Sequence, residues 1–383
     1  MARRILVVLV AASVTDALAF APALHFGRGA SLPRLSRHRG ERKAGVAMIN
    51  EEKIAVGTVK VSPMGIGTLN WPLNKETDSD AEASLRACVD AGVNFIDTAE
   101  AYGFGTSEKL TRNVVGAVNG QCVVATKFAP VPWRRDSEDL VAACKASKER
   151  LGVEAIDLYQ IHWPDIIQPL KPFGFEEVKN EKYWDGIARC YEQGLIKNVG
   201  VSNYGVKILE QAHAALSARG VPIASNQINY SLLYRKSGAQ ATVDKCKELG
   251  IQPIGYFPLA NGLLAGRYTA GNPPKGPKGW TMKKYIEGGV TSRGVAYPAG
   301  GVTPLIDEMR RIGDARGKTV PQVAINFVIC KGVIPIPGAR NAKMAADNAG
   351  ALGWRLSAAE VVALEAAADG LGFEFSGGGF KLE

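Results

Sequence analysis

Cys122-Val123-Val124-Ala125-Thr126, Ser137–Leu151 and Ile156-Asp157-Leu158-Tyr159-Gln160-Ile161 follow one another as a strand-like run, a stretch with apolar residues at helical spacing, and a second strand-like run. A strand, a crossing helix and a second strand read as one βαβ unit, with the two strands parallel. The same rhythm extends both ways. Strand-like pieces recur at Pro63–Thr68, Val93–Ile96, Asn198–Val201, Ala224–Gln227, Gln252–Tyr256 and Val333–Ile336, and helical spacing recurs at Asp80–Ala91 and Leu305–Arg316. Eight such units in about 335 residues predict a single α/β domain folded as a closed (β/α)8 TIM barrel. Periodicity alone also admits an open doubly wound sheet. One connection breaks the rhythm: Pro258 to about Gly301 is long and rich in Gly, Pro and Lys. Following a strand, it is placed at the barrel face that carries active sites. After about Arg355 the chain reads as one more helix and a Gly-rich end, Gly377-Gly378-Gly379.

The formal charge of +9 is concentrated at one end. Residues 1–48 hold eight of the 46 Lys and Arg but only two of the 37 Asp and Glu, which leaves 38 against 35 in the remainder. The high pI therefore gives little reason to expect nucleic-acid binding. Arg3 and Arg4 precede an apolar run from Ile5 to Val14, and Ala17-Leu18-Ala19 offers small residues for signal cleavage. That run is too short for a stop-transfer helix. Residues 20–47 are rich in Arg, Ser, Ala and Gly and nearly free of acid, starting at Phe20-Ala21-Pro22. This predicts a signal peptide over 1–19, a transit peptide over 20–47 and the barrel over 48–383. Such an order resembles the bipartite leaders of proteins sent to plastids of secondary endosymbiotic origin; a plain secretory signal or a plain transit peptide is the alternative. The six cysteines are scattered, without metal-site or disulfide-framework spacing, as suits a reducing compartment.

Several chemistries are set aside by missing motifs. Gly65-Ile66-Gly67 lacks the third glycine of a dinucleotide fingerprint, and there is no Walker lysine loop, G-x-S-x-G elbow or H-E-x-x-H. What remains is polar residues at the C-terminal ends of neighbouring strands: Asp97, Lys127 and His162, with Tyr102 five residues after Asp97. Each alone is unremarkable, but together they converge on one barrel mouth. A phenol with a pKa near ~10 is a slow acid at neutral pH. A neighbouring ammonium such as Lys127 is expected to lower that value, Asp97 to hold the ammonium, and His162 to orient a substrate oxygen. The set describes a proton donor aimed at a carbonyl, and it needs a hydride source.

Over residues 54–370 the sequence resembles the aldo-keto reductase superfamily, and among its members the plant chloroplast ones. The resemblance rests on Gly65-Ile66-Gly67-Thr68, Asn94 to Gly103, Ile156 to Pro164, Gly200-Val201-Ser202-Asn203-Tyr204, Ser225-Asn226-Gln227 and Ile334-Pro335-Ile336-Pro337-Gly338. It implies a catalytic tetrad of Asp97, Tyr102, Lys127 and His162, and NADPH/NADP+ as cofactor. It also implies that Ser202, Asn203 and Gln227 hold the nicotinamide carboxamide, that Tyr256 stacks on its ring, and that Gly67 and Thr68 belong to the cofactor-binding set. Pro258, Leu259 and Arg267 fall near the pyrophosphate, and Gly338, Arg340, Asp347 and Asn348 near the adenosine half. Arg340 matches the position that would read a 2′-phosphate, since a guanidinium binds phosphate bidentately. Phe257, Ala339 and Met344 depart from the family pattern around the cofactor. Trp71, Trp133 and Trp163 are candidates for an aromatic mouth or for packing. The resemblance implies a small-molecule carbonyl substrate. It leaves open three other roles: a cofactor-sensing partner subunit with little turnover, a sugar dehydrogenase and a pyridoxal reductase.

Overall fold

The computed structural model describes residues 53–71, 78–118, 122–165, 179–274, 277–290, 296–375 and 382. The expected signal and transit segments lie outside them. Eight parallel strands form the sheet: β3 (Gly65–Gly67), β4 (Phe95–Asp97), β5 (Val123–Phe128), β6 (Leu158–Ile161), β7 (Val199–Ser202), β8 (Ile223–Asn229), β9 (Gln252–Tyr256) and β12 (Ile334–Pro335). They pair in chain order, and the Gly67 N–H donates to Pro337 O at 3.1 Å beside a parallel Gly67–Gly338 bridge. The sheet is thereby closed into a barrel, and the open-sheet alternative falls.

Strand parity decides what enters the barrel, because alternate side chains face opposite sides. Phe95, Ala125 and Leu158 point inward to meet Ile254 and Ile334, whereas Ile96, Val124, Phe128, Tyr159 and Ile161 pack against the helices. One step further along β4, β5 and β6, the inward positions are Asp97, Lys127, Gln160 and His162. The bottom is closed by a hairpin that strand periodicity did not reveal, β1 (Ile54–Val56) with β2 (Val59–Val61), which buries Val56 and Val61 in the interior cluster. Asn198, at the start of β7, ties the hairpin turn down: its Oδ1 accepts from Thr58 N–H at 2.8 Å and its Nδ2 donates to Asp157 O at 2.9 Å.

The helices of the outer ring start and stop by local chemistry. The helix Ser137–Leu151 opens on a reciprocal capping box between Asp136 and Asp139 and ends on Gly152 at φ 68°. The helix Val320–Cys330 opens on the Thr319–Gln322 box, and Ala358–Asp369 on the Ser357–Glu360 box. The long connection after β9 is not structureless. It contains a 3-10 turn at Ala260–Ala265, a helix at Pro277–Glu287 and a two-residue ladder of β10 (Gly289–Val290) with β11 (Ala296–Tyr297). Among the described residues no helix is long and apolar enough to cross a membrane.

Candidate active site

The four polar strand-end residues meet at the C-terminal mouth. Lys127 and Asp97 are fully buried, with Nζ 2.6 Å from Oδ2. Lys127 Nζ also donates to Thr98 O at 2.9 Å and reaches Tyr102 Oη at 3.4 Å. Removing one partner of a buried ion pair strands the other charge at a cost of about 3–5 kcal/mol, so the two hold each other in place. His162 stands across the mouth, its ring edge-to-face with Tyr102 at 5.8 Å between centroids.

Burial outweighs the nearby cation at Tyr102. Desolvation first, then the Asp97 charge, raise its phenol well above the ordinary range. The expectation that Lys127 would lower it is therefore corrected: at 3.4 Å the ammonium does not offset the loss of water, and the hydroxyl stays protonated at neutral pH. Burial likewise lowers Lys127, against the upward pull of Asp97. His162 is driven well below its usual value by burial and then by the charge on Lys127, which leaves a neutral imidazole. Its Nδ1 is buried without a partner among the described residues.

The residues expected at the nicotinamide end form one network beside this set. The Ser202 hydroxyl donates to Gln227 O at 2.8 Å and accepts from Asn203 Nδ2 at 3.1 Å. Asn203 sits at φ 62°, a left-handed backbone that asparagine tolerates better than most residues. This turn lets its amide donate to His162 O at 2.9 Å and accept from Tyr256 Oη at 2.8 Å. Gln227 has a second task that sequence reading missed, since its Nε2 donates to Asp97 Oδ1 at 2.7 Å. Thr68 is buried, its hydroxyl on Asp97 O at 3.1 Å and Ser107 Oγ at 2.7 Å.

Further out, Pro258 and Leu259 lead into the 3-10 turn, with Phe257 at φ 53°. Arg267 is exposed over the Tyr268 ring, and Arg340 is exposed with no ion pair among the described residues. Gly338 and Arg340 precede the helix Ala342–Ala349, which Asn341 caps by accepting from Met344 N–H at 2.9 Å. Asn348 is buried, 3.4 Å from Gly338 O. The Asp347 carboxylate accepts from Thr319 Oγ1 at 3.1 Å and Gln322 Nε2 at 3.0 Å, so it braces the neighbouring helix start. Ala339 is buried, its carbonyl taken by Trp71 Nε1 at 3.1 Å. Trp71 and Trp163 are buried packing residues, and of the three tryptophans considered for the mouth only Trp133 is exposed.

A closed barrel whose mouth holds a protonated phenol, a buried ammonium–carboxylate pair and a neutral imidazole has the groups that could hand a proton to an oxygen. The chain belongs to the aldo/keto reductase family, whose family model matches residues 63–369. Members of this family are oxidoreductases that use NADPH. The chain is 37% identical over 333 residues to the chloroplastic pyridoxal reductase of Arabidopsis thaliana, covering 83% of this chain and 86% of that one. Among solved structures it resembles the glycerol dehydrogenase of Gluconobacter oxydans, with TM-score 0.68, 23% identity and coverage of 84% of this chain and 95% of the other. It also resembles a Bombyx mori aldo-keto reductase in complex with NADP, with TM-score 0.61, 20% identity and coverage of 83% and 95%. These two likenesses bear on the fold.

Proposed function

We propose that this protein is an NADPH-dependent reductase that converts aldehydes or ketones to alcohols, with pyridoxal as the first substrate to test. The observation that carries the reading is the convergence of Tyr102, Lys127, Asp97 and His162 on one mouth, with Lys127 bridging the carboxylate and the phenol. The surroundings fit the cofactor. Ser202 Oγ can accept from a carboxamide and the second N–H of Gln227 can donate to one, while the exposed cations Arg267 and Arg340 suit phosphates. Gly67, Thr68, Ser202, Asn203, Gln227 and Tyr256 would hold the nicotinamide end. Pro258, Leu259 and Arg267 would lie along the pyrophosphate, and Gly338, Arg340, Asp347 and Asn348 along the adenosine half.

NADPH, when bound, supplies the hydride. The protein's share is the oxygen. A neutral His162 N–H fixes the carbonyl oxygen, and Tyr102 Oη gives it a proton as negative charge develops there. The phenolate left behind faces Lys127 Nζ, whose charge stabilises it until it takes a proton back from solvent. Asp97 keeps that ammonium aimed. Identity to a chloroplastic pyridoxal reductase, together with the acid-poor stretch 20–47, supports a plastid location.

The test is NADPH oxidation by protein starting at Met48, with a panel of aldehydes and ketones that includes pyridoxal. Tyr102→Phe is expected to bind NADPH normally and lose turnover by about a hundredfold or more, the scale of a lost general acid. Tight NADPH binding with no turnover on any carbonyl by the unmodified protein would favour the cofactor-sensing role instead.

A further inference from the structure

Lys127, Gln160, Gly200 and Ser225 lie side by side in the barrel wall. The pairing registers run Lys127 to Gln160, Gln160 to Gly200 and Gly200 to Ser225 across β5, β6, β7 and β8. All four face inward. Lys127, Gln160 and Ser225 are fully buried, so polar side chains stand at neighbouring interior positions where barrels ordinarily pack branched apolar residues. Gln160 Nε2 lies 3.4 Å from Asp97 Oδ1, the oxygen that also accepts from Gln227 Nε2 at 2.7 Å, while Lys127 holds Oδ2. Two amides on one oxygen and an ammonium on the other surround the carboxylate.

The opposite end of the Gln160 amide is unsatisfied. Its Oε1 and the Ser225 hydroxyl are both buried with no partner among the described residues. Both flank Gly200, where an added Cβ would fall 2.7 Å from Gln160 Cγ and 2.7 Å from Ser225 Oγ. A buried amide with an orphan oxygen costs stability, and a leucine would fill the same space without that cost. Gln160 therefore earns its place through its N–H on Asp97.

We propose that Gln160 is a positioning residue for the reduction. Its amide holds the Asp97 oxygen that Lys127 does not, and the glycine at 200 keeps the room this amide needs. Through Asp97 it sets where Lys127 Nζ stands relative to Tyr102 Oη. The inference rests on the reading of Asp97, Lys127 and Tyr102 as catalytic machinery.

The test is steady-state kinetics of Gln160→Leu on whichever carbonyl the unmodified enzyme reduces, with NADPH affinity from fluorescence titration and a thermal midpoint. A positioning role predicts that kcat falls about ten- to a hundredfold, the scale of a lost hydrogen bond to a charged group. KM and the NADPH Kd are expected to stay within about twofold, and the midpoint to hold or rise. A residue kept for structure alone would behave the other way, with a lower midpoint and kcat within about twofold of the unmodified enzyme; that pattern, or kcat falling only as the midpoint falls, overturns the proposal. Gly200→Ala provides a second route, since it displaces the amide without removing it. Its kcat loss is expected to be largely absorbed in the double variant with Gln160→Leu, and independent multiplicative losses would count against the coupling. Tyr102→Phe in the same assay separates the two failures: if it turns over normally the underlying reading is wrong, and if it alone is inactive only the role of Gln160 is lost.

Discussion

Tyr102 and His162 face one another with opposite departures from their ordinary chemistry, and burial drives both. The phenol is raised and the imidazole lowered, so each is neutral across the physiological range. For His162 the sign of the stability effect follows from its lowered folded value. An unfolded chain takes up a proton near pH ~6.5 and the folded site does not, so stability is full above that pH and declines as the pH falls through it. Thermal midpoints of the unmodified protein are expected to drop from pH 7 to pH 5 more steeply than those of His162→Asn, whose side chain does not titrate. Turnover should stay level over pH 6 to 8. A rise or fall in kcat centred near ~6.5 would mean that the imidazole carries its ordinary affinity for protons. The types and places of these two residues were legible in the sequence. Their electrostatics were not, because the direction of the shift depends on how much water is lost around a 3.4 Å Lys127–Tyr102 contact, and only packing settles that.

At the scale of elements, parity and helical spacing carried most of the fold. Ser137–Leu151 and Gln252–Tyr256 form over the residues expected, because a capping box and a C-terminal glycine bound the first and a continuously buried centre, Pro253 to Gly255, marks the second. Parity also held a signal that went unused: Gln160 shares the inward face of Leu158 and His162, so a glutamine there had to enter the barrel. The N-terminal hairpin was missed because three-residue strands leave almost no periodicity. Its attachment is a matter of single hydrogen bonds. Asn198→Ala strips the acceptor from Thr58 N–H and the donor from Asp157 O, and leaves a gap where the hairpin turn meets the barrel. Gly57, at φ 60°, has been shaped to this contact, since a Cβ there would fall 2.0 Å from Asn198 Oδ1. We expect Asn198→Ala to lower unfolding free energy by about 2 kcal/mol in denaturant titrations, the scale of an orphaned buried polar group, with turnover retained. Unchanged stability would mean that the plug is held by Val56 and Val61 alone.

The whole molecule adds a connection that no local pattern announces. The described part of the C-terminal tail fastens two strand-following segments at once. Glu374 accepts from the backbone N–H groups of Lys236 and Ser237 at 2.6 and 3.1 Å, at the start of the helix that follows β8, and Phe375 N–H donates to Leu233 O at 2.8 Å. On the other side Phe375 meets Tyr285 at 4.7 Å between ring centroids, and Phe373 meets Tyr297 at 5.2 Å, so the long connection after β9 is pinned by its own helix and ladder. That connection begins with Pro258, Leu259 and Arg267, the segment proposed to lie along the cofactor pyrophosphate. If the segment must lift for the nucleotide to leave, the aromatic cluster resists the lifting, and loosening it should act on exchange rather than on proton delivery. Phe375→Ala removes an aromatic contact worth about 0.5–1.5 kcal/mol beyond its buried area, which translates to NADP+ release faster by roughly two- to thirteenfold. Stopped-flow fluorescence of nucleotide release checks the first part, and single-turnover reduction with prebound NADPH checks that the chemical step is unchanged. Release at the unmodified rate would show that the long connection does not gate the cofactor, and a slowed single turnover would place the tail in the geometry of the mouth itself.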